Sequence, residues 1–404
     1  MANEPCASDE GTSYKFLELL CYFLFAVGPL VGNAVLVLLG AISIDFATDP
    51  TVILIAIPAF MFPFAFIQLF SGAISDVYGR VPVIASGLIA FAAGLFLTAY
   101  SPSLEIFALG NFVCGIGFGF VNPVLLALLS DCAVPQDIPK RMGIASALAS
   151  LSVGLGPYIA GQMVIFGWAS YYLLFFVIVV LGIIAITLAK RPPRRTHSDS
   201  GVRVLASHLR TELRRPVVLL MLITTFMVAL AYLGTLVWTS RGLTGALDEN
   251  LIGLLLLGGG VSGATAGSLL GFMIRRLGYR APIILGFLTL FTGLSVLILI
   301  GDITLSSSIL FVLLGLVAVG WAGGLLFPIM ITYSQVISPE RRGVLAGVVT
   351  FAFFLGSALI PTVYEPLYLV GISWVYTGML IVSVFLMVLF ILLYRRVNST
   401  SSEA

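Results

Sequence analysis

The sequence predicts an all-α membrane protein: twelve transmembrane helices in two pseudo-symmetric six-helix bundles. Three observations carry that reading. The 404 residues are 60% hydrophobic and 9% charged, more apolar surface than a water-facing fold of this length can hide. Apolar runs of about 20 residues, each long enough to cross a bilayer, recur along the whole chain. Of the 20 Lys and Arg residues, all but Arg241 fall in alternate gaps between those runs, the asymmetry that fixes orientation. The basic gaps and both termini are therefore expected in the cytoplasm, and the protein as a multi-pass component of the plasma membrane.

In chain order the spans are expected near 16–42, 51–74, 81–100, 104–130, 142–165, 168–189, 216–240, 249–274, 281–300, 306–335, 343–364 and 372–394. The first follows a short acidic segment, Met1 to Ser13, with no basic n-region or cleavage site, so that helix is expected to be its own targeting signal. The basic gaps hold Arg80; Lys140 and Arg141; Lys190 to Arg215; Arg275, Arg276 and Arg280; Arg341 and Arg342; and Arg395 with Arg396. The intervening gaps carry Asp45 and Asp49, Glu105, Asp248 and Glu249, Asp302 and Glu365. Trp168, Trp238 and Trp374 lie beside these acidic gaps and are expected to form an interfacial aromatic belt.

The longest gap divides the chain into a first bundle (1–189), a linker (190–215) and a second bundle (216–404). The linker opens with Arg191-Pro192-Pro193-Arg194-Arg195, and Val202, Leu205, Leu209 and Leu213 then recur at helical spacing among Arg203, Arg210, Glu212 and Arg214. That pattern predicts a short amphipathic helix on the cytoplasmic leaflet; a disordered basic loop is the alternative. The two halves match at an offset of 199 or 200 residues: Gly72 with Gly271, Gly79 with Gly278, Pro82 with Pro282, Gly143 with Gly343 and Gly156 with Gly356. Parallel six-helix repeats make the two-lobed transporter plan, with a substrate site between lobes that rock against each other.

After the second span comes Gly72-Ala73-Ile74-Ser75-Asp76-Val77-Tyr78-Gly79-Arg80. Gly72 permits close helix approach, Asp76 ends a helix with negative charge, and Gly79 permits a tight reversal. This stretch resembles the signature loop of the major facilitator superfamily, which implies the major facilitator fold. The resemblance also implies that Asp76, with Arg80, Arg341 and Arg342, clamps the start of the eleventh helix near Gly343 when the cavity opens outward. The second copy keeps Gly271 and Gly278 but places Arg275 where Asp76 stands; a charge-swapped clamp to Asp131 or Asp137 is expected. Ser152, Gly156-Pro157 and Ala160-Gly161 in the fifth span, together with Gln68-Leu69-Phe70-Ser71-Gly72, are similar to motifs of the twelve-helix drug:proton antiporters, the bicyclomycin and chloramphenicol type of exporter. Pro157 removes one helical hydrogen bond, and its flanking glycines allow bending. One departure concerns coupling: Asn111, four residues before Gly115, stands where that branch carries an arginine associated with protons.

The interior defines the cargo. Charge inside a bilayer marks ion or substrate paths, yet every acidic or basic residue falls toward a span end, so phosphate esters and small carboxylates are disfavoured as substrates. Neutral groups supply the polarity: Asn33, Gln68, Asn111, Asn122 and Gln162 are the expected substrate contacts, with Tyr158, Tyr232 and Trp321 as aromatic walls. Such a site suits a neutral or lipophilic cationic small molecule. Helix-to-helix bonding is the structural alternative for each amide.

Glycines 259, 263, 267 and 271 line one face of the eighth span, expected to pack closely and let the lobes slide. Gly115, Gly117 and Gly119 superficially resemble a phosphate loop but lie inside an apolar span, where packing is expected. The leading expectation is a secondary active exporter working by alternating access, exchanging cargo for protons. The alternative is an uncoupled facilitator or permease for a neutral metabolite such as a sugar. Asp76, Glu18, Asp45 and Glu365 are the candidate proton carriers.

An enzyme is not expected, since His197 and His208 both fall in the linker. Cys6, Cys21, Cys114 and Cys132 show no metal-ligand spacing, the last two lying roughly 27 Å apart on one helix, and no cofactor is expected. The net charge of +2, spread over separate segments, gives no nucleic-acid footprint. The expected partners are the bilayer, the small-molecule substrate and protons, with the protein a monomer.

Overall fold

A computed structural model describes residues 14–133, 137–190, 207, 209–304, 308–337 and 342–402. Among them are 12 helices long and apolar enough to span a membrane: α1 (Lys15–Asp45), α2 (Ala56–Tyr78), α3 (Arg80–Ala99), α4 (Leu104–Asp131), α5 (Ile138–Met163), α6 (Ala169–Leu188), α7 (Pro216–Leu243), α8 (Glu249–Leu277), α9 (Arg280–Thr304), α10 (Ile309–Ile337), α11 (Arg342–Tyr368) and α12 (Ile372–Ser402). Helices are the only open-ended way to satisfy backbone polar groups in lipid. Each expected span coincides with one of them. The second is broken near its start: a four-residue helix, Pro50–Ile53, capped by Asp49, precedes α2.

Sharp reversals join α2 to α3 and α8 to α9. Gly79 (φ 96) and Gly278 (φ 71) make them, and only a residue without Cβ enters that region freely. The motif glycines of both halves thus do the same work.

Small residues set the packing inside each bundle, as expected where no hydrophobic force draws helices together in lipid. In the first, α4 sits against α2 and α3. A Cβ on Gly115 would meet Pro63 and the Phe60 carbonyl of α2, one on Gly117 the Phe91 backbone of α3, and one on Gly119 Ile67 of α2. These glycines are packing devices. In the second, α10 sits against α8 and α9, six helices on. Gly156 abuts the Leu30 carbonyl of α1, and its repeat mate Gly356 abuts the Phe226 carbonyl of α7.

The glycine stripe of α8 corrects one expectation. Gly259, Gly263 and Gly267 face the carbonyls of Leu316, Gly320 and Gly324 on α10, so the stripe seals the second bundle internally instead of sliding between lobes. The face of α8 toward the other lobe carries Gly253 and Gly260. The aromatic belt also changes. Trp374 is exposed, but Trp168 and Trp238 are buried; the Trp168 Nε1 donates to Asp45 Oδ2 at 2.6 Å, and Trp238 stacks on Tyr368. An indole whose N–H finds a partner inside the fold has no reason to seek the interface.

The first half of the expected linker helix, with Val202, Arg203 and Leu205, lies outside the described residues, as do His197, His208 and Cys6. At its described end Glu212 is buried and bonds Arg215 at 2.8 Å, whereas Leu213 is exposed. Leu213 thus keeps the open side that a leaflet-facing apolar residue needs, while Glu212 turns inward to Arg215. Arg215 also reaches the Ile337 carbonyl ending α10, so the pair ties the linker to the bundle.

Candidate substrate path and gates

The lobes meet through α5 against α8 and α2 against α11, pairs related by the internal repeat. On the acidic face the first pair is backbone-tight. A Cβ on Gly161 would lie 2.6 Å from the Glu249 carbonyl oxygen, one on Gly253 2.9 Å from that of Pro157, and one on Gly154 2.9 Å from Gly260 Cα. Eleven residues from Gly154 and Gly260, three turns and about 20° further round each helix, Gly143 and Gly271 meet nothing within 4 Å. The helix pair therefore diverges toward the basic face. In the second pair the Phe64 and Phe354 rings meet at 4.5 Å and Phe66 and Phe351 at 5.2 Å, while Gly72, Gly343 and Gly347 are open. A vestibule open to the basic face and closed to the acidic face follows.

The vestibule ends at mid-depth on α2. At 100° per residue Ile57, Met61, Phe64 and Gln68 share one face, within about 60°. Ile57 and Met61 line a gap of about 20 Å³ in the seal, with Gly32 and Asn33 of α1, Leu233 of α7 and Ser357 of α11, roughly the room of one water. Gln68, two turns below Met61, is buried with its amide nitrogen lacking any hydrogen-bond partner. A buried donor left unmet costs about 1–3 kcal/mol, and a transported acceptor would relieve that cost.

The other expected contacts disperse. Asn33 donates to the Pro29 carbonyl and Asn111 to that of Phe107, each within its own helix. Asn111 is buried one turn from Phe107, which packs on Trp168 and Tyr172. Asn122 is half-buried beside Pro123. Tyr158 lies on the α5–α8 contact, its Cα 2.9 Å from where Gly253 would carry a Cβ, and Gln162 is exposed one turn on.

Tyr232 lies inside the second bundle, its ring against Gly323. Trp321, two residues before Gly323, points about 200° away. It falls between the side of α10 meeting α8 (Gly320, Gly324) and that meeting α9 (Ala318, Leu325), away from the α7 side that Tyr232 occupies. Phe64 and Phe354 were not singled out from sequence. With 29 Phe in the chain, nothing but the helix pairing distinguishes them.

Charged groups gather at helix ends. Arg80 binds Asp76 at 2.5 Å and Asp131 at 3.2 Å, with further bonds to Ser75 and the Gly72 carbonyl. The motif thus ties α2, α3 and α4 within one bundle, and Asp131, an expected partner of Arg275, is already held by Arg80. Asp137 and Arg275 are exposed. Arg341 lies outside the described residues, and Arg342 opens α11. Arg141 pairs with Glu18 at 3.0 Å. On the acidic face Arg241 pairs with Asp49 at 3.0 Å. The Asp49 carboxyl is held below the usual range by hydrogen bonds from the Thr51 hydroxyl and amide, and by Arg241.

The Major Facilitator Superfamily model matches residues 19–361 and, again, 242–404. The chain is similar to the uncharacterized MFS-type transporter YceJ of Bacillus subtilis, 27% identical over 75% of this chain and 76% of that protein. It is also similar to the multidrug resistance protein MdtL of Shewanella oneidensis, 26% identical over 47% of this chain and 48% of the relative. The quinolone resistance protein NorA of Staphylococcus aureus is 27% identical over 52% of this chain and 54% of its own. The match thus spans about half the length of these two resistance proteins. Among solved structures, a point mutant of the nucleoside transporter NupG superposes with a TM-score of 0.75, covering 94% of this chain and 100% of that one at 13% identity, a likeness of fold. Twelve membrane-spanning helices in two repeated bundles, a vestibule between them and the family match across nearly the whole length lead to one conclusion: the chain belongs to the Major Facilitator Superfamily and is a multi-pass membrane transporter of that family.

Proposed function

We propose that the protein is an exporter of neutral or lipophilic cationic small molecules, working by alternating access. The observation that carries this reading is the vestibule ending at mid-depth on phenylalanine rings and the unmet amide of Gln68, with no Asp, Glu, Lys or Arg at that depth among the described residues. Rings hold an apolar or cationic amphiphile by burial and cation–π attraction, and Gln68 selects cargo carrying a hydrogen-bond acceptor. The relatives named for multidrug and quinolone resistance support the same class. The basic face is cytoplasmic in this reading, and the plasma membrane holds a monomer with both termini inside. Residues 1–189 and 216–404 rock about the linker 190–215. The clamp of Asp76 and Arg80 onto the start of α11 belongs to the opposite, outward-open arrangement, where Gly143 and Gly271 would close.

Protons are the proposed exchange ion. The uncoupled facilitator stands as a second reading because three of the four candidate carriers are engaged: Asp76 with Arg80, Glu18 with Arg141, and Asp45 with Trp168. Everted membrane vesicles given rhodamine 6G, which carries ester and ether acceptors, separate the two. Accumulation that collapses with a protonophore and weakens severalfold in Gln68→Leu supports the proton-driven exporter. Gradient-independent equilibration identifies the facilitator, and uptake no greater than in vesicles lacking the protein defeats the cargo class.

A further inference from the structure

Arg241 is the one basic residue on the acidic side of the charge pattern. We propose that it is a gating residue that locks the two bundles together opposite the vestibule, its release from Asp49 forming part of opening that face. The inference rests on the alternating-access reading.

Arg241 sits in the last turn of α7, in the second bundle. Its guanidinium lies 5.1 Å from the centroid of the Tyr368 ring at the end of α11, in the same bundle, which fixes the plane of the fork. From that anchor it reaches the first bundle with two donors: Nε to the Thr51 hydroxyl at 2.8 Å and Nη2 to Asp49 Oδ1 at 3.0 Å. The Thr51 amide also donates to Asp49 Oδ1, at 2.7 Å, so the carboxylate is oriented before the arginine arrives. The Arg241 side chain is only 12% exposed although it stands at a helix end, where water would otherwise reach it. Neighbouring contacts tighten the same seam. Ser240 donates to the Leu36 carbonyl of α1, and a Cβ on Gly40 would lie 3.2 Å from Glu249 Oε1.

Separation of the bundles on this face must break both donors together and return the fork and the carboxylate to water. Rehydration offsets much of the loss, so the lock is modest, as a gate that cycles requires. A charge at the end of α7 also complements the helix dipole, but that benefit is equal whichever face is open. Of the interactions Arg241 makes, only the fork to Asp49 and Thr51 distinguishes the two states.

The test is the rate at which a membrane-impermeant maleimide labels Ile57→Cys, a seal position, in intact cells expressing the full chain. Arg241→Ala is expected to raise that rate about tenfold, the scale of one charge-assisted hydrogen bond. Arg241→Lys, which keeps the charge without the fork, should raise it nearly as much. Asp49→Ala should match Arg241→Ala without adding to it, and the swap Arg241→Asp with Asp49→Arg should slow labelling again. Equal rates in Arg241→Ala and its parent overturn the lock, provided that Gly161→Leu, wedged against the Glu249 carbonyl, labels fast. Absence of labelling in both variants overturns the rocking reading along with it. Additive effects of Asp49→Ala and Arg241→Ala would reduce Arg241 to a packing residue on Tyr368 and overturn the proposal.

Discussion

Replacing Gly161 with alanine should move the resting arrangement of the two bundles. The added Cβ would stand 2.6 Å from the Glu249 carbonyl oxygen, 3.1 Å from its carbon and 3.3 Å from Asn250 Cα. All three are backbone atoms, so no side-chain rotation relieves the overlap. Ordinary contact begins near 3.4 Å, and the outer ends of α5 and α8 must separate by about 0.8 Å. Overpacking of this kind costs about 1–3 kcal/mol. Alanine also favours helix over glycine by about 1 kcal/mol, but α5 is a helix in either arrangement and that gain cancels. The overlap exists only while the acidic face is sealed, so the ratio of the two arrangements should shift about 5- to 150-fold toward outward opening. Pulsed electron paramagnetic resonance between spin labels at Thr48 and Ala246 would show a longer distance gaining population. Gly143→Ala, on the same face of α5 but in open space, should leave the parent distribution in place or sharpen it. Identical distributions for Gly161→Ala and the parent, or equal shifts from both substitutions, would refute the divergence of α5 and α8 as the basis of gating.

Two further predictions concern turns and charge. Gly79 (φ 96, ψ 150) occupies a region essentially reserved for glycine, so Gly79→Ala should cost about 1–3 kcal/mol and lower the melting temperature in detergent. Gly72→Ala, whose Cβ meets nothing, should melt like the parent; equal losses would show that helix contact, not the turn, sets the glycine requirement. Because the Asp49 carboxyl is depressed in the sealed state, its contribution is complete above the free value of about 3.9 and is lost only as pH falls through the lowered one. The ratio of Ile57→Cys labelling between Asp49→Asn and its parent should therefore stay flat from pH 5.5 to 8. A drift inside that window would contradict the assigned state of Asp49.

The chain alone determined the twelve spans, their alternation and the repeat, because lipid demands long apolar helices and the positive charges sort to one side. The reversals at Gly79 and Gly278 were readable for a similar reason: a turn that no other residue makes cheaply leaves glycine in the sequence. The partner of each helix face was not readable. The stripe of Gly259, Gly263 and Gly267 has the same spacing whether it meets α10 or α5, and in lipid every face of a span is apolar, so no hydrophobic pattern says which side is inward. For that reason Asn111, Tyr232 and Trp321 resembled cavity walls until the helix pairings placed Asn111 among buried rings, Tyr232 against Gly323 and Trp321 between α8 and α9. Arg241 was visible only as an exception to the charge pattern. Its meaning came from Asp49, 192 residues away, since a contact between two bundles is fixed by how they dock and by nothing local to either stretch of sequence.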